Sequence, residues 1–64
     1  MSAKARRIVT DLFQAFLADL RLLSPEFQAR ATGDAPRAIA DYIAGMTDRY
    51  AIVEHRRLFA IEEA

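Results

Sequence analysis

The 64-residue chain contains no cysteine. That excludes a disulfide staple, a thiolate metal site and a cysteine nucleophile. Two glycines and two prolines are its only strong punctuation. Both prolines and Gly33 fall between Ser24 and Pro36, so an uninterrupted segment lies on either side. Charge of one sign is lacking too: nine Lys+Arg face nine Asp+Glu. A dedicated nucleic-acid binder shows a basic excess. No run approaches the ~18 consecutive apolar residues of a membrane span. The start of the chain, with Asp11, Gln14 and Asp19 breaking the apolar pattern, does not read as a signal peptide. A cytoplasmic protein with no membrane partner is the expectation.

Length is the other shortage. A domain of about 60 residues buries only ~60% of the surface its unfolded chain exposes. Yet 53% of this chain is hydrophobic, more than is usual for a soluble domain. Part of that surface should seek a partner. A small chain without staples relies on packing, oligomerisation or a host protein.

What is present is helical periodicity. Val9, Leu12, Phe13, Phe16, Leu17 and Leu20 stand at offsets 0, 3, 4, 7, 8 and 11. Those offsets make one stripe of a helix over about 3–20. Ser24-Pro25-Glu26 signals a second start. Ser24 suits the N-cap, Pro25 the first helical position and Glu26 the positive end of the helix dipole. This helix is short, about 25–31, with Phe27 as its anchor and Gly33 as a left-handed stop. Asp34-Ala35-Pro36 restarts the chain by the same logic. Ile39, Tyr42, Ile43, Met46, Tyr50 and Val53 then recur with a period near 3.5, and Leu58, Phe59 and Ile61 extend a second stripe.

We read this as one long helix over about 36–59. The alternative is a kink between Gly45 and Asp48, where Thr47-Asp48 offers a cap and Gly45 costs ~1 kcal/mol relative to alanine. Gly45 would also permit close approach of another helix. Glu62 and Glu63 oppose the dipole, so the helix should fray near Ala60. The expected fold is all-α: two long amphipathic helices in an antiparallel hairpin, closed by the short helix. Core or interface positions are Val9, Leu12, Phe13, Phe16, Leu17, Leu20, Phe27, Ile39, Ile43, Met46, Val53 and Phe59.

Candidates for chemistry are few. His55 is the only histidine, and a metal site needs several ligands converging. It reads as a surface or interface residue. Neither serine has a base and an orienting acid beside it, and the two glycines form no phosphate nest. No catalytic residue, metal ligand or cofactor site is assigned. Asp41-Tyr42 and Asp48-Arg49-Tyr50 lie seven residues apart, near one helix face. Solvated ion pairs explain them simply; a polar site built against another domain is the functional alternative. Lys4, Arg6 and Arg7, and again Arg56 and Arg57, could touch phosphate groups. Intermixed acids favour a solvated surface for both clusters.

The run Asp41-Tyr42-Ile43-Ala44-Gly45-Met46-Thr47-Asp48-Arg49-Tyr50-Ala51, continuing through Glu54-His55-Arg56-Arg57-Leu58-Phe59, is distinctive. It resembles the C-terminal part of bacterial deoxyguanosinetriphosphate triphosphohydrolase-like proteins, members of the HD-domain phosphohydrolases. Lys4 to Phe13 resembles the helix that precedes that part. The resemblance implies metal-dependent parents that cleave a deoxynucleoside triphosphate to deoxynucleoside and triphosphate. Such chemistry needs a histidine, an adjacent His-Asp pair and a further aspartate. Here His55 is followed by Arg56 and has no second histidine. The resemblance therefore implies only the non-catalytic associated domain, with the divalent metal in a catalytic domain absent from this chain. It further implies packing on that domain, a part in oligomer assembly, and Tyr42, Asp48, Arg49 and Tyr50 as contacts to the nucleotide pocket or host domain. A stand-alone interaction module or small regulator of a full-length homologue is the alternative, and a nucleic-acid binder or stand-alone enzyme is disfavoured.

Overall fold

Ser2 opens the first helix. Its hydroxyl accepts a hydrogen bond from the Ala5 amide at 3.1 Å, satisfying one of the unpaired first-turn donors. In the computed structural model, which describes residues 2–59, helix α1 runs over Ala3–Ala18. Asp19 then takes an extended conformation and ends it. The Asp19 carboxylate accepts from the Arg21 amide at 3.1 Å and caps a 3₁₀ turn over Leu20–Leu22. So Leu20 is not the last residue of the helix stripe, as expected. It reaches the core from the turn.

Helix α2, Pro25–Ala31, has the expected proline near its start. The Ser24 carbonyl accepts from the Phe27 amide at 3.0 Å and the Gln28 amide at 2.9 Å. The Ser24 hydroxyl, however, makes no cap bond; its Oγ is buried without a partner. Gly33 is not a left-handed stop either, because no described glycine has positive φ. The helix instead tightens into a turn: Gly33 and Asp34 both donate to the Arg30 carbonyl, at 3.2 and 3.3 Å. Such bonds satisfy end carbonyls without any need for a left-handed residue.

The expected long helix over 36–59 is two helices. Asp34 caps α3, Ala35–Ala44, through the Arg37 amide at 3.2 Å. Helix α4 covers Asp48–Phe59. The Thr47 hydroxyl accepts from the Tyr50 amide at 3.1 Å, capping the new start. Gly45 does not admit another helix: a Cβ there would meet only the Tyr42 and Asp41 carbonyls, at 3.6 and 3.7 Å. A glycine weak in helix propensity followed by a ready cap accounts for the break. Fraying near Ala60, and the stripe position Ile61, lie outside the described residues.

The break replaces the expected hairpin with a four-helix arrangement. Helix α1 packs against both α3 and α4, and α2 packs on α3. The chain forms a plate of 30 × 30 × 16 Å. Leu12, Phe16, Leu23, Ala31, Ala38 and Ile39 are its buried core. Phe13, Leu20, Phe27, Ile43 and Met46 are half-buried around it. Phe16 meets Tyr42 edge-on, with centroids 5.4 Å apart, and Tyr42 lies 5.0 Å from Phe27. These three rings tie α1, α2 and α3 together at distances where aromatic pairs attract.

Two expected core-or-interface positions are not core. Leu17 is 47% exposed and Val53 56% exposed. Helix α4 turns Ala51, Glu54, His55 and Leu58 inward, at offsets 0, 3, 4 and 7. Val53 therefore faces away. The stripe that α4 buries is half polar, which apolar periodicity does not register. Among the described residues, no helix is long and apolar enough to cross a membrane.

Candidate functional site

Where α2, α3 and the start of α4 meet, they leave a groove of about 290 Å³ lined by Phe27, Asp41, Tyr42, Met46, Thr47 and Tyr50. The sequence sets each wall. Tyr42 sits on the α3 stripe three residues after Ile39, so its ring enters the aromatic trio while its hydroxyl looks toward α4. The turn at Gly45–Thr47 folds α4 back and brings Tyr50 beside it. Asp41 rims the groove and binds Arg30 of α2 at 2.5 Å, with Arg37 a turn earlier on α3 at 3.7 Å. Arg30 also lies over the Phe27 ring, 4.9 Å from its centroid. That placement satisfies a cation–π contact and an ion pair together.

Behind the tyrosines lies a carboxylate that is costly to bury. Glu54 is buried, with 6% of its surface exposed, and its carboxylate is paired with Arg57 one turn on. A buried carboxylate without a partner would be strongly disfavoured. The Arg57 guanidinium is held more firmly protonated than usual, chiefly by its bond to Glu54. Tyr42 responds to the same environment. Burial pushes its hydroxyl up to about 12 from the ordinary 10.0; the neighbouring Tyr50 hydroxyl and the Glu54 charge add to this. A phenol so placed stays protonated at neutral pH and acts as a hydrogen-bond donor, not as a base.

Of the four expected site residues, Tyr42 and Tyr50 come together. Asp48 and Arg49 do not join them. Asp48 faces the start of α1, lining a separate groove with Ser2, Lys4, Ala5 and Ile8. Arg49 is exposed. Sequence reasoning missed Glu54 and Arg57 as partners of the tyrosines. The available signal was spacing: Tyr50, Glu54 and Arg57 stand at i, i+4 and i+7, one face of a helix.

His55 is not a free surface residue. Its Nε2 lies 2.9 Å from the Asp11 carboxylate of α1, and its ring stacks on Phe59 at 4.6 Å. The pair bolts α4 to α1. Among the described residues, no group of three or more His, Asp or Glu side chains converges as a metal site would require.

Among the described residues, then, the structure offers a thin helical plate with paired charges and grooves but no converging metal site. In sequence the chain matches the phosphohydrolase-associated domain family over residues 1–57, and it belongs to that family. It is 70% identical over 63 residues to a deoxyguanosinetriphosphate triphosphohydrolase-like protein of Azoarcus sp. (strain BH72), covering 98% of this chain and 17% of that protein. The protein of the same name from Ralstonia nicotianae is 69% identical over 62 residues, covering 97% of this chain and 16% of the relative. That of Nitrosomonas europaea is 54% identical over 63 residues, with 98% and 17% covered. The chain thus spans about one sixth of the length of these curated relatives. No solved structure matches it.

Proposed function

We propose that the chain is the non-catalytic associated domain of a deoxyguanosinetriphosphate triphosphohydrolase-like HD phosphohydrolase, and that it packs against the catalytic domain and assists oligomer assembly. The observation that carries this reading is the surface of α4 and of the end of α1. Leu17, Tyr50, Ile52 and Val53 are large, apolar and 45–56% exposed. A plate only 16 Å thick has too little depth to hide them. An exposed apolar patch marks an interaction face, and α4 contributes three of these four residues. The tyrosine groove opens beside Tyr50, so Tyr42 and Tyr50 would order that contact. Asp48 and Arg49 would meet the host from the exposed start of α4. The divalent metal and the water-activating groups of the parent reaction would belong to the catalytic domain.

Sedimentation of the 64-residue chain over a range of concentrations tests the reading. Self-association that rises with concentration is expected, and Ile52→Lys/Val53→Lys should abolish it while the helical spectrum persists. A folded chain that stays monomeric at every concentration would contradict the exposed docking face. Incubation with dGTP and a divalent metal should release no triphosphate; clear turnover would overturn the non-catalytic assignment.

A further inference from the structure

The basic clusters singled out in the sequence are not absorbed by this function. The structure gathers part of both into one place. Between α1 and α4 runs a groove of about 630 Å³, bordered by Lys4, Arg7, Asp11, His55, Arg56 and Phe59. Among the described residues, the ion pairs lie elsewhere, save one. Arg21, Arg30, Arg37 and Arg57 each have a carboxylate within 4.0 Å. Among the described residues, Lys4, Arg6, Arg7, Arg49 and Arg56 have none, and three of these five line this groove. The one carboxylate on its border, Asp11, is engaged by His55 at 2.9 Å.

We propose that the α1–α4 groove is a binding site for a small oligophosphate anion, held by Lys4 and Arg7 from one helix and Arg56 from the other. Among the described residues these three cations have no carboxylate within 4.0 Å, and they stand on two helices, so an anion entering the groove would meet positive charge from both walls. The guanidinium fork matches phosphate oxygens two at a time, and a lysine adds a compact point charge. A chain of linked phosphates offers several charged oxygens at once, enough to engage cations from both helices. Asp11 is bonded to His55, and its negative charge on the border opposes the three cations only in part. Ile52 borders this groove as well as the docking surface, but the inference rests on the three cations and not on that surface.

The test is a titration of the isotopically labelled 64-residue chain with inorganic triphosphate at low salt, followed by amide and side-chain resonances. Saturable shifts centred on Lys4, Arg7, His55 and Arg56 are expected. Arg7→Gln/Arg56→Gln should weaken binding roughly tenfold or more, since it removes one guanidinium fork from each wall. The control is Arg6→Gln/Arg49→Gln, which removes the same charge outside the groove and should weaken it far less. All four side chains are on exposed residues, and Lys4→Gln/Arg56→Gln serves as a second variant should the first fail to fold. Equal weakening by test and control pairs would reduce the effect to diffuse attraction and overturn the site. So would shifts lying elsewhere, or none. Deoxythymidine triphosphate binding through the same residues would support the proposal and show that the phosphate chain of a nucleotide suffices. A single-stranded oligodeoxynucleotide or a polyglutamate peptide that binds where triphosphate does not would overturn it.

Discussion

Two halves of this small chain are held by different physics. The half made of α1, α2 and α3 is an apolar core: Leu12, Phe16 and Ile39 are fully buried, and the Phe16–Tyr42–Phe27 rings bridge all three helices. The other half is α4. It buries Glu54, half-buries His55, joins α1 through Asp11, and leaves Ile52 and Val53 in solvent. Burial of apolar area is non-directional and robust. A seam of charged pairs is directional and contributes little net stability, yet is costly to break on one side. The comparison teaches that α4 is positioned more than it is glued, as suits a helix with a second face to give to a partner.

The largest effect should come from the apolar half. Phe16→Ala removes a fully buried ring that touches both α1 and α3 neighbours. Losses of about 3–5 kcal/mol are usual for such a change. In a chain this short that approaches the whole stability. Thermal melting followed by circular dichroism should show all helices lost together, or no folded state at all. A folded variant with only α4 disturbed would reverse the assignment of the two halves.

The seam should respond asymmetrically. Arg57→Ala leaves the Glu54 carboxylate buried without its partner, a penalty of about 1–3 kcal/mol. Glu54→Leu removes the buried charge itself and should be nearly neutral or stabilising. Arg57 is more than half exposed, so solvent tempers the first value. Amide exchange resolves the location: Arg57→Ala should accelerate exchange in α4 while α1 to α3 keep their protection. Equal loss across all four helices would mean that the two halves are one cooperative unit.

This contrast also explains what was readable beforehand. The α1 stripe, the short α2 and the start of α3 follow from periodicity and caps, because local sequence dictates them. Continuity through Gly45 was a closer contest. The helix cost of one glycine is ~1 kcal/mol, no larger than the packing gained by folding α4 onto α1. Thr47 was visible as a cap, but only the tertiary gain decides whether it is used. The seam was hidden for a different reason. Asp11 and His55 are 44 residues apart, and nothing in either residue's neighbourhood names the other. His55 reads from sequence only as a surface or interface residue, and Glu54 does not stand out, because apolar spacing counts only apolar residues. Tyr42 and Tyr50 were grouped for their place in a run, and the structure joins them through the turn; Asp48 and Arg49, in the same run, point elsewhere.

Tyr42 stands on the border of the two halves, with its ring in the apolar trio and its hydroxyl toward Tyr50 and Glu54. That makes it a probe of both. Its hydroxyl is raised to about 12, mainly by burial, from 10.0 when exposed. The folded state therefore holds this proton more tightly than the unfolded state does. The resulting stabilisation is fully present below pH 10.0 and is lost as pH climbs toward about 12. Tyr42→Phe cannot ionise. It should lose less stability than the parent chain between about pH 9 and pH 11.5, a difference on the order of 1–2 kcal/mol. Comparing the two chains cancels the other alkaline titrations, and ultraviolet absorbance of ionised tyrosine follows the transition directly. If both chains lose stability in parallel, the hydroxyl is as open to water as that of Tyr50. The boundary between core and seam would then fall between the Tyr42 ring and Phe16, not between its hydroxyl and Glu54.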